Sequence, residues 1–328
     1  MVMASLTANR QPIIKDYTNM PAKKNRTIRI LDEERESLMK GISNDVSGGI
    51  VDTLVNADMM QTLDKLPDES MNLIIVDPPY NLTKDFGNND FRAMKDDDYE
   101  AWLRLWLPKV CDKLTKDGSL YICGDWHCTA SLQRVLSENL TIVNRITWQR
   151  EKGRGAGHNW KNGMEDIWFA VKDINNYHFN LDDVKIKRRV LAPYKKNGEP
   201  KDWKQTKDGN FRLTCPSNFW DDISVPFWSM PENTIHPTQT PEKLYAKLIL
   251  ASSRVGDIVF DPFMGSGTAC VVAKKLNRHY IGIEINQEYC MLASKRINIA
   301  DKNKRIQGYE DGVFWERNAT PFRRVKNE

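Results

Sequence analysis

Two short stretches of the chain carry residues whose types and spacing could do chemistry. The first is Asp77-Pro78-Pro79-Tyr80. It follows an apolar run, Leu73-Ile74-Ile75-Val76, that reads as a buried strand of a parallel sheet. Proline cannot donate to a ladder, so the tetrapeptide falls at the strand's carboxyl end, where open α/β sheets place their ligands. It offers a carboxylate, a backbone carbonyl at Pro78 and an aromatic face. A flat molecule bearing an exocyclic NH2 could use all three; a proline-rich turn is the plain alternative. The second stretch is Asp261-Pro262-Phe263-Met264-Gly265-Ser266-Gly267-Thr268, also at a strand end and opening a helix. Glycines there let the backbone approach a ligand closely. Glu284 ends the next strand, 19 residues after Gly265, where a carboxylate can grip ribose hydroxyls. A nucleoside ligand is therefore expected. Phosphate is not: the dinucleotide fingerprint is broken at Cys270, and no Gly-Lys-Ser/Thr follows the turn. Asp261 would repel phosphate but suits an amino or sulfonium cation, and S-adenosylmethionine carries both.

The elements that must position these residues alternate between strands and helices. Strands are expected at 53–57, 71–76, 119–123, 141–148, 166–171, 258–260 and 280–284, and helices at 59–66, 98–114, 128–138, 242–252, 268–276 and 287–298. Asp117-Gly118 reads as a turn, and Asp32 as the N-cap of a helix to about residue 40. The alternation predicts an α/β fold with a doubly wound, mostly parallel sheet. Between 173 and 232 the periodicity collapses into a segment rich in Lys, Asn, Pro and Trp, an inserted module. Residues 1–50 form a polar arm, 51–172 and 233–300 the two halves of the main domain, and 301–328 a polar tail. In that tail Phe314 and Trp315 are candidates to pack back onto the body.

Length and composition bound the rest. The 328 residues, 40% apolar, fit one large or two small domains with a normal core. The 48 basic against 44 acidic residues give a net charge of only +4. Residues 145–212 hold 16 basic and 9 acidic residues, leaving 32 and 35 elsewhere. A basic segment on a near-neutral body suits a polyanion partner, or a solvated face. Of six cysteines none forms a C-x-x-C pair, and the five histidines lack ligand spacing, so a reduced, cytoplasmic protein without a metal is expected. No apolar run approaches the ~18 residues of a membrane span.

The order of these motifs resembles the β-class amino-methyltransferases of DNA, circular permutants of the S-adenosylmethionine-dependent, Rossmann-like methyltransferase fold. The resemblance covers about residues 52–300. Its parts are Asp77-Pro78-Pro79-Tyr80, the stretch 145–171, His236-Pro237-Thr238-Gln239, the turn at Asp261 and Gly282-Ile283-Glu284. It implies a seven-stranded sheet and a target-recognition region at 173–232. Asp77, Pro78, Pro79 and Tyr80 would be the catalytic residues. Asp58, Asp77, Thr238, Gln239, Asp261, Phe263, Gly265, Ser266, Gly267, Thr268 and Glu284 would hold S-adenosylmethionine. Permutation would bring the 53–57 strand beside that of Glu284, with Asp58 near the cofactor adenine; capping of the next helix is the alternative for Asp58. The family's lysine after His-Pro-Thr-Gln is Thr240 here, for which a helix N-cap is the structural alternative.

The implied reaction is methylation of adenine N6 in duplex DNA at a specific site. An exocyclic NH2 is a poor nucleophile because its lone pair is conjugated with the ring. Acceptors at Asp77 and Pro78 would turn that lone pair toward the methyl group, with Tyr80 stacked on a flipped base. Lys152, Arg154, Lys185, Lys187, Arg188 and Arg189 would contact phosphates. Trp160, Trp203, Trp220 and Trp228 are candidates for stacking or for the core. The alternatives are cytosine-N4 methylation and a non-catalytic DNA-binding protein on the same scaffold. The resemblance also raises a cognate restriction endonuclease, a homodimer, and a bacterial, archaeal or phage-encoded protein of the nucleoid.

Overall fold

Strand Met71–Val76 shows how the body is layered. Its residues Leu73 to Val76 are all fully buried, yet they serve two cores. Leu73 and Ile75 pack among residues of helices Glu242–Ser252, Thr268–Lys275 and Gln287–Lys302. Ile74 and Val76 pack among those of Asp96–Asp112 and Thr129–Ser137. A strand covered on both faces needs a continuous apolar run, because successive side chains point to opposite sides.

The computed structural model describes residues 24–46, 51–85, 90–150, 157–190, 194–206 and 209–316. The main sheet takes strands β1 (Thr53–Asn56), β2 (Met71–Val76), β3 (Leu114–Gly124), β4 (Thr141–Gln149), β5 (Met164–Val171), β6 (Phe219–Trp220), β7 (Ile258–Asp261) and β8 (His279–Glu284). Their spatial order is β1-β8-β7-β2-β3-β5-β4-β6. All neighbouring pairs are parallel except β3–β5 and β5–β4, so β5 alone runs backwards. The sheet is doubly wound and mostly parallel, as expected. The permutation is visible in it: the first strand closes the edge beside the last, with Asn56 opposite Glu284.

Several local expectations are corrected. The sheet has eight strands, not seven, because Phe219–Trp220 from the inserted module adds to β4. Asp117-Gly118 does not break the chain; it lies inside β3, where the pairing with β2 shifts register between Met71 and Leu73. Asp32 is not an N-cap. It starts a 3-10 turn, Asp32–Glu34, after Leu31, and the α-helix is Arg35–Met39.

The expected arm packs onto the body over its described part. Arg35 pairs with Glu288, Lys295 with Glu34, and Ser294 bonds the Leu38 carbonyl. The inserted module builds a second, five-stranded sheet from Lys204–Thr206, Gly209–Thr214, Ile186–Arg189, Val313–Trp315 and Tyr309–Glu310 in that order. Its last two strands come from the tail, where Phe314 and Trp315 are buried. Buried Asp222 accepts from Lys243 and Lys247 of the Glu242–Ser252 helix, tying module to body. No helix among the described residues is long and apolar enough to cross a membrane.

Candidate active site

The carboxyl ends of β2, β7 and β8 open on one cavity of about 530 Å³. That lies within the roughly 300–1,000 Å³ usual for small-molecule sites. Asp58, Asp77, Pro78, Pro79, Tyr80, Thr238, Gln239, Asp261, Phe263, Gly265, Ser266, Thr268 and Glu284 all line it. Of the residues expected to meet a cofactor, Gly267 alone does not. Its φ of +77° needs glycine, and a Cβ there would lie 2.5 Å from the Cβ of Ala293. Gly267 serves the close approach of the Thr268–Lys275 and Gln287–Lys302 helices instead.

On one wall Glu284 organises the turn. Its Oε2 accepts from the Gly265 amide at 2.9 Å and its Oε1 from the Asn286 amide at 2.7 Å. Asp261 accepts from the Phe263 amide at 3.1 Å. Burial pushes Asp261 well above the usual carboxylate range and raises Glu284 as well. Beneath the turn lies Arg296, a buried residue that the sequence reading missed. Its guanidinium donates to the Ser266 carbonyl at 2.9 Å, to Thr268 Oγ1 at 2.8 Å and to Glu242 at 3.1 Å. Its signal was a lone cation on the apolar side of a helix. Asp58 caps the Met59–Thr62 helix, its Oδ1 accepting from the Met60 amide at 2.8 Å, and its residue lines the cavity.

On the other wall, Tyr99 Oη donates to the Pro79 carbonyl at 3.0 Å and pins the tetrapeptide. Thr240 Oγ1 donates to Asp77 Oδ2 at 3.0 Å. Thr240 is therefore not the cap of the following helix; Pro241 occupies that position without a side-chain bond. Gln239 lines the cavity, but its amide is consumed locally. Its Oε1 accepts from Thr234 and its Nε2 donates to the Glu232 carbonyl. Burial, then the charge of Asp77, raises the Tyr80 phenol well above its ordinary value.

Sequence reading also missed Glu165 and Arg150. They form an ion pair lining the same cavity, from the start of β5 and the end of β4. Because β5 runs backwards, its amino-terminal end reaches the edge where the other strands end. Burial, reinforced by Asp77 and opposed by Arg150, pushes Glu165 up to about 7. Asp125, His236 and Tyr289 also line the cavity. An edge-on contact of 4.3 Å holds His236 against Tyr289. The two walls meet through an aromatic chain: Tyr99 stacks on Trp102, and Trp102–Trp106 and Trp106–Phe263 contact at 5.4 and 5.1 Å.

Six carboxyl groups, from Asp58, Asp77, Asp125, Glu165, Asp261 and Glu284, line this cavity with one guanidinium, and a bound cation would favour their ionised forms. Such a set suits a cationic ligand and disfavours phosphates. Of the expected phosphate contacts, Lys152 and Arg154 lie outside the described residues. Lys185 pairs with Asp182 and Arg188 with Glu316. Lys187 and Arg189 lie over the Phe211 ring on one face of the module's sheet. Trp203 and Trp220 are buried core residues, whereas Trp160 and Trp228 are exposed.

Residues 71–295 match the family model described as DNA methylase. The DNA adenine methyltransferase YhdJ of Escherichia coli is 36% identical over 259 residues, covering 77% of this chain and 85% of that protein. Among solved structures, the PvuII DNA methyltransferase (cytosine-N4-specific) superposes with a TM-score of 0.55 at 18% identity, over 76% of this chain and 91% of that one. The M1.HpyAVI–SAM complex gives a TM-score of 0.51 at 24% identity, over 74% and 97%. These two share the fold. The family match spans both walls of the cavity and the strands that carry them, and the chain belongs to the DNA methylase family.

Proposed function

We propose that this protein moves the methyl group of S-adenosylmethionine to the N6 amino group of adenine at a specific site in duplex DNA. The observation that carries the reading is the opening of the Asp77 and Glu284 strand ends on one acidic cavity. The likeness to a DNA adenine methyltransferase supports adenine over cytosine.

When bound, the cofactor supplies a methyl group on a positively charged sulfur. Asp261, Phe263, Gly265 and Glu284 would hold its adenosine, with Asp58 at the adenine edge and Thr238 at the methionine end. Ser266 and Thr268, bonded to Arg296, would shape the turn rather than touch the ligand. The Asp77 carboxylate and Pro78 carbonyl would accept the two N–H groups of the flipped base, while Tyr80 stacks on its ring. Tyr99 already takes the Pro79 carbonyl, so that group shapes the loop. As the amine nitrogen takes the methyl group, the N6 proton held by Asp77 would pass to its carboxylate. Fixed acceptors favour a pyramidal nitrogen and need no reorganisation during the step.

Residues 51–172 and 233–300 act as the catalytic and cofactor-binding halves, and 173–232 as the target-recognition region. The module's face bearing Lys187 and Arg189, with Lys152 and Arg154, would meet phosphates. A cytoplasmic, nucleoid-associated protein, a homodimer and a cognate restriction endonuclease belong to the same reading. Incubation of the protein and S-adenosylmethionine with plasmid DNA, followed by nucleoside mass spectrometry and single-molecule sequencing, tests it. N6-methyladenine at a recurring sequence is expected. N4-methylcytosine would replace adenine by cytosine, and unmodified DNA would overturn the reading.

A further inference from the structure

Strands β4 and β5 are antiparallel neighbours, so the loop joining them stands at the edge where the parallel strands end. The Arg150 amide donates to the Gly163 carbonyl at 2.7 Å and closes the base of that loop. Asn162 is exposed and yet lines the cavity, which places this end of the loop at the cavity mouth. Two residues before it stands Trp160, 92% exposed. Two residues of chain span at most about 7 Å, so the Trp160 backbone lies within that reach of the mouth.

An indole held in water forgoes the large burial that this side chain usually gives. Trp126 is exposed too, but its ring is stacked on His127 at 3.7 Å. Trp160 makes no ring contact among the described residues. Its neighbours in sequence do not suit an apolar protein partner. Residues 151–162 hold Lys152, Arg154 and Lys161 against Glu151, and Ala156 is their only other apolar residue. One aromatic face among cations suits a nucleic acid. A base drawn out of a duplex into the cavity leaves a gap in the stack at the mouth, and the lost stacking opposes the movement. An apolar side chain that enters a base step can occupy such a gap, and an indole can stack on any neighbouring base.

Resting on the methyl-transfer reading above, we propose that Trp160 enters the duplex at the cavity mouth and takes the stacking place that the target adenine vacates. It holds the base out of the helix while Asp77 and Pro78 bind the amine, and it does not touch the reacting atoms.

The test uses the full-length protein and two duplexes carrying the methylated sequence, one fully paired and one whose target adenine faces an abasic site. Trp160→Ala should lower kcat/KM on the paired duplex by at least about tenfold, the order of one base–aromatic stack. An unpaired base leaves the helix more easily, so the deficit should shrink to within about threefold on the second duplex. Trp160→Phe keeps a stacking face and should recover most of the rate. The side chain is exposed, so S-adenosylmethionine affinity by calorimetry should stay at the wild-type value in both variants. With 2-aminopurine at the target position, the fluorescence rise on binding should be smaller for Trp160→Ala than for the wild-type protein. Wild-type rates for Trp160→Ala on the paired duplex would overturn the proposal. So would an equal deficit on both duplexes, which loss of a contact between two copies of the chain would give. Absence of methyl transfer to either duplex by the wild-type protein would instead overturn the underlying function.

Discussion

The two walls of the cavity are built differently. The Glu284 wall is nearly self-contained in sequence. Asp261 holds an amide two residues on, and Glu284 reaches back 19 residues to Gly265. The Asp77 wall is assembled from distant segments. Thr240 comes to Asp77 across 163 residues, Tyr99 to Pro79 across 20, and Arg150 and Glu165 arrive from two antiparallel strands. A wall made locally can be recognised as a motif, while a wall made by topology shows only a fragment of itself. The difference also suggests separable functions, one wall for the cofactor and one for the base.

Substitutions should respect that division. The largest effect is expected at Asp77→Ala. Methyl transfer should drop by a factor of roughly 10²–10³ or more, as for loss of one preorganised polar group at a reacting centre. S-adenosylmethionine affinity by calorimetry should change little. Equal losses in both measurements would merge the two walls into one.

Tyr80→Ala should lower kcat/KM by about 1–3 kcal/mol of stacking, again without weakening the cofactor. A wild-type rate would remove Tyr80 from base contact. On the opposite wall, Glu284→Ala should weaken S-adenosylmethionine by about 1.5–3 kcal/mol, the value of hydrogen bonds to a charged group. DNA binding measured without cofactor should be unchanged, and a parallel loss there would break the comparison.

Thr240→Val removes one neutral donor from Asp77 and should cost about 0.5–1.5 kcal/mol in turnover. A much larger loss would mean that Thr240 sets the position of the carboxylate rather than trimming it.

The smallest effect concerns pH. Burial raises Glu165 and Glu232 to about 7. Each holds a proton in the folded state that the unfolded chain releases near about pH 4.3. The unfolded state then binds fewer protons, so this stabilisation is complete below that pH and is lost as pH rises through about 7. The melting temperature should therefore decline between pH 5 and pH 8, and Glu165→Gln should flatten the decline. An unaltered slope in the variant would show that the Glu165 carboxyl is already ionised.

What could be read from the chain alone was whatever depends on neighbours. The apolar run before Asp77, the glycines after Asp261 and the spacing to Glu284 gave the strand ends, the turn and the parallel sheet, because these follow from periodicity and backbone conformation. The same local reading could not show that Gly267 is constrained by the facing helix at Ala293 or that the Gln239 amide is spent on its own loop. It treated residues 1–50 as an arm because, in the described part, the partners of Arg35 and Glu34 lie more than 250 residues away.

By itself the sequence determined that two ligand-binding strand ends exist and which residue types each presents. Only the tertiary structure decided that they share one cavity, that Thr240 reaches Asp77, and that a reversed strand delivers Glu165 and Arg150 to the same edge. The physical reason is that strand direction and neighbour order are set by packing over the whole sheet. No window of sequence a few residues wide contains that information.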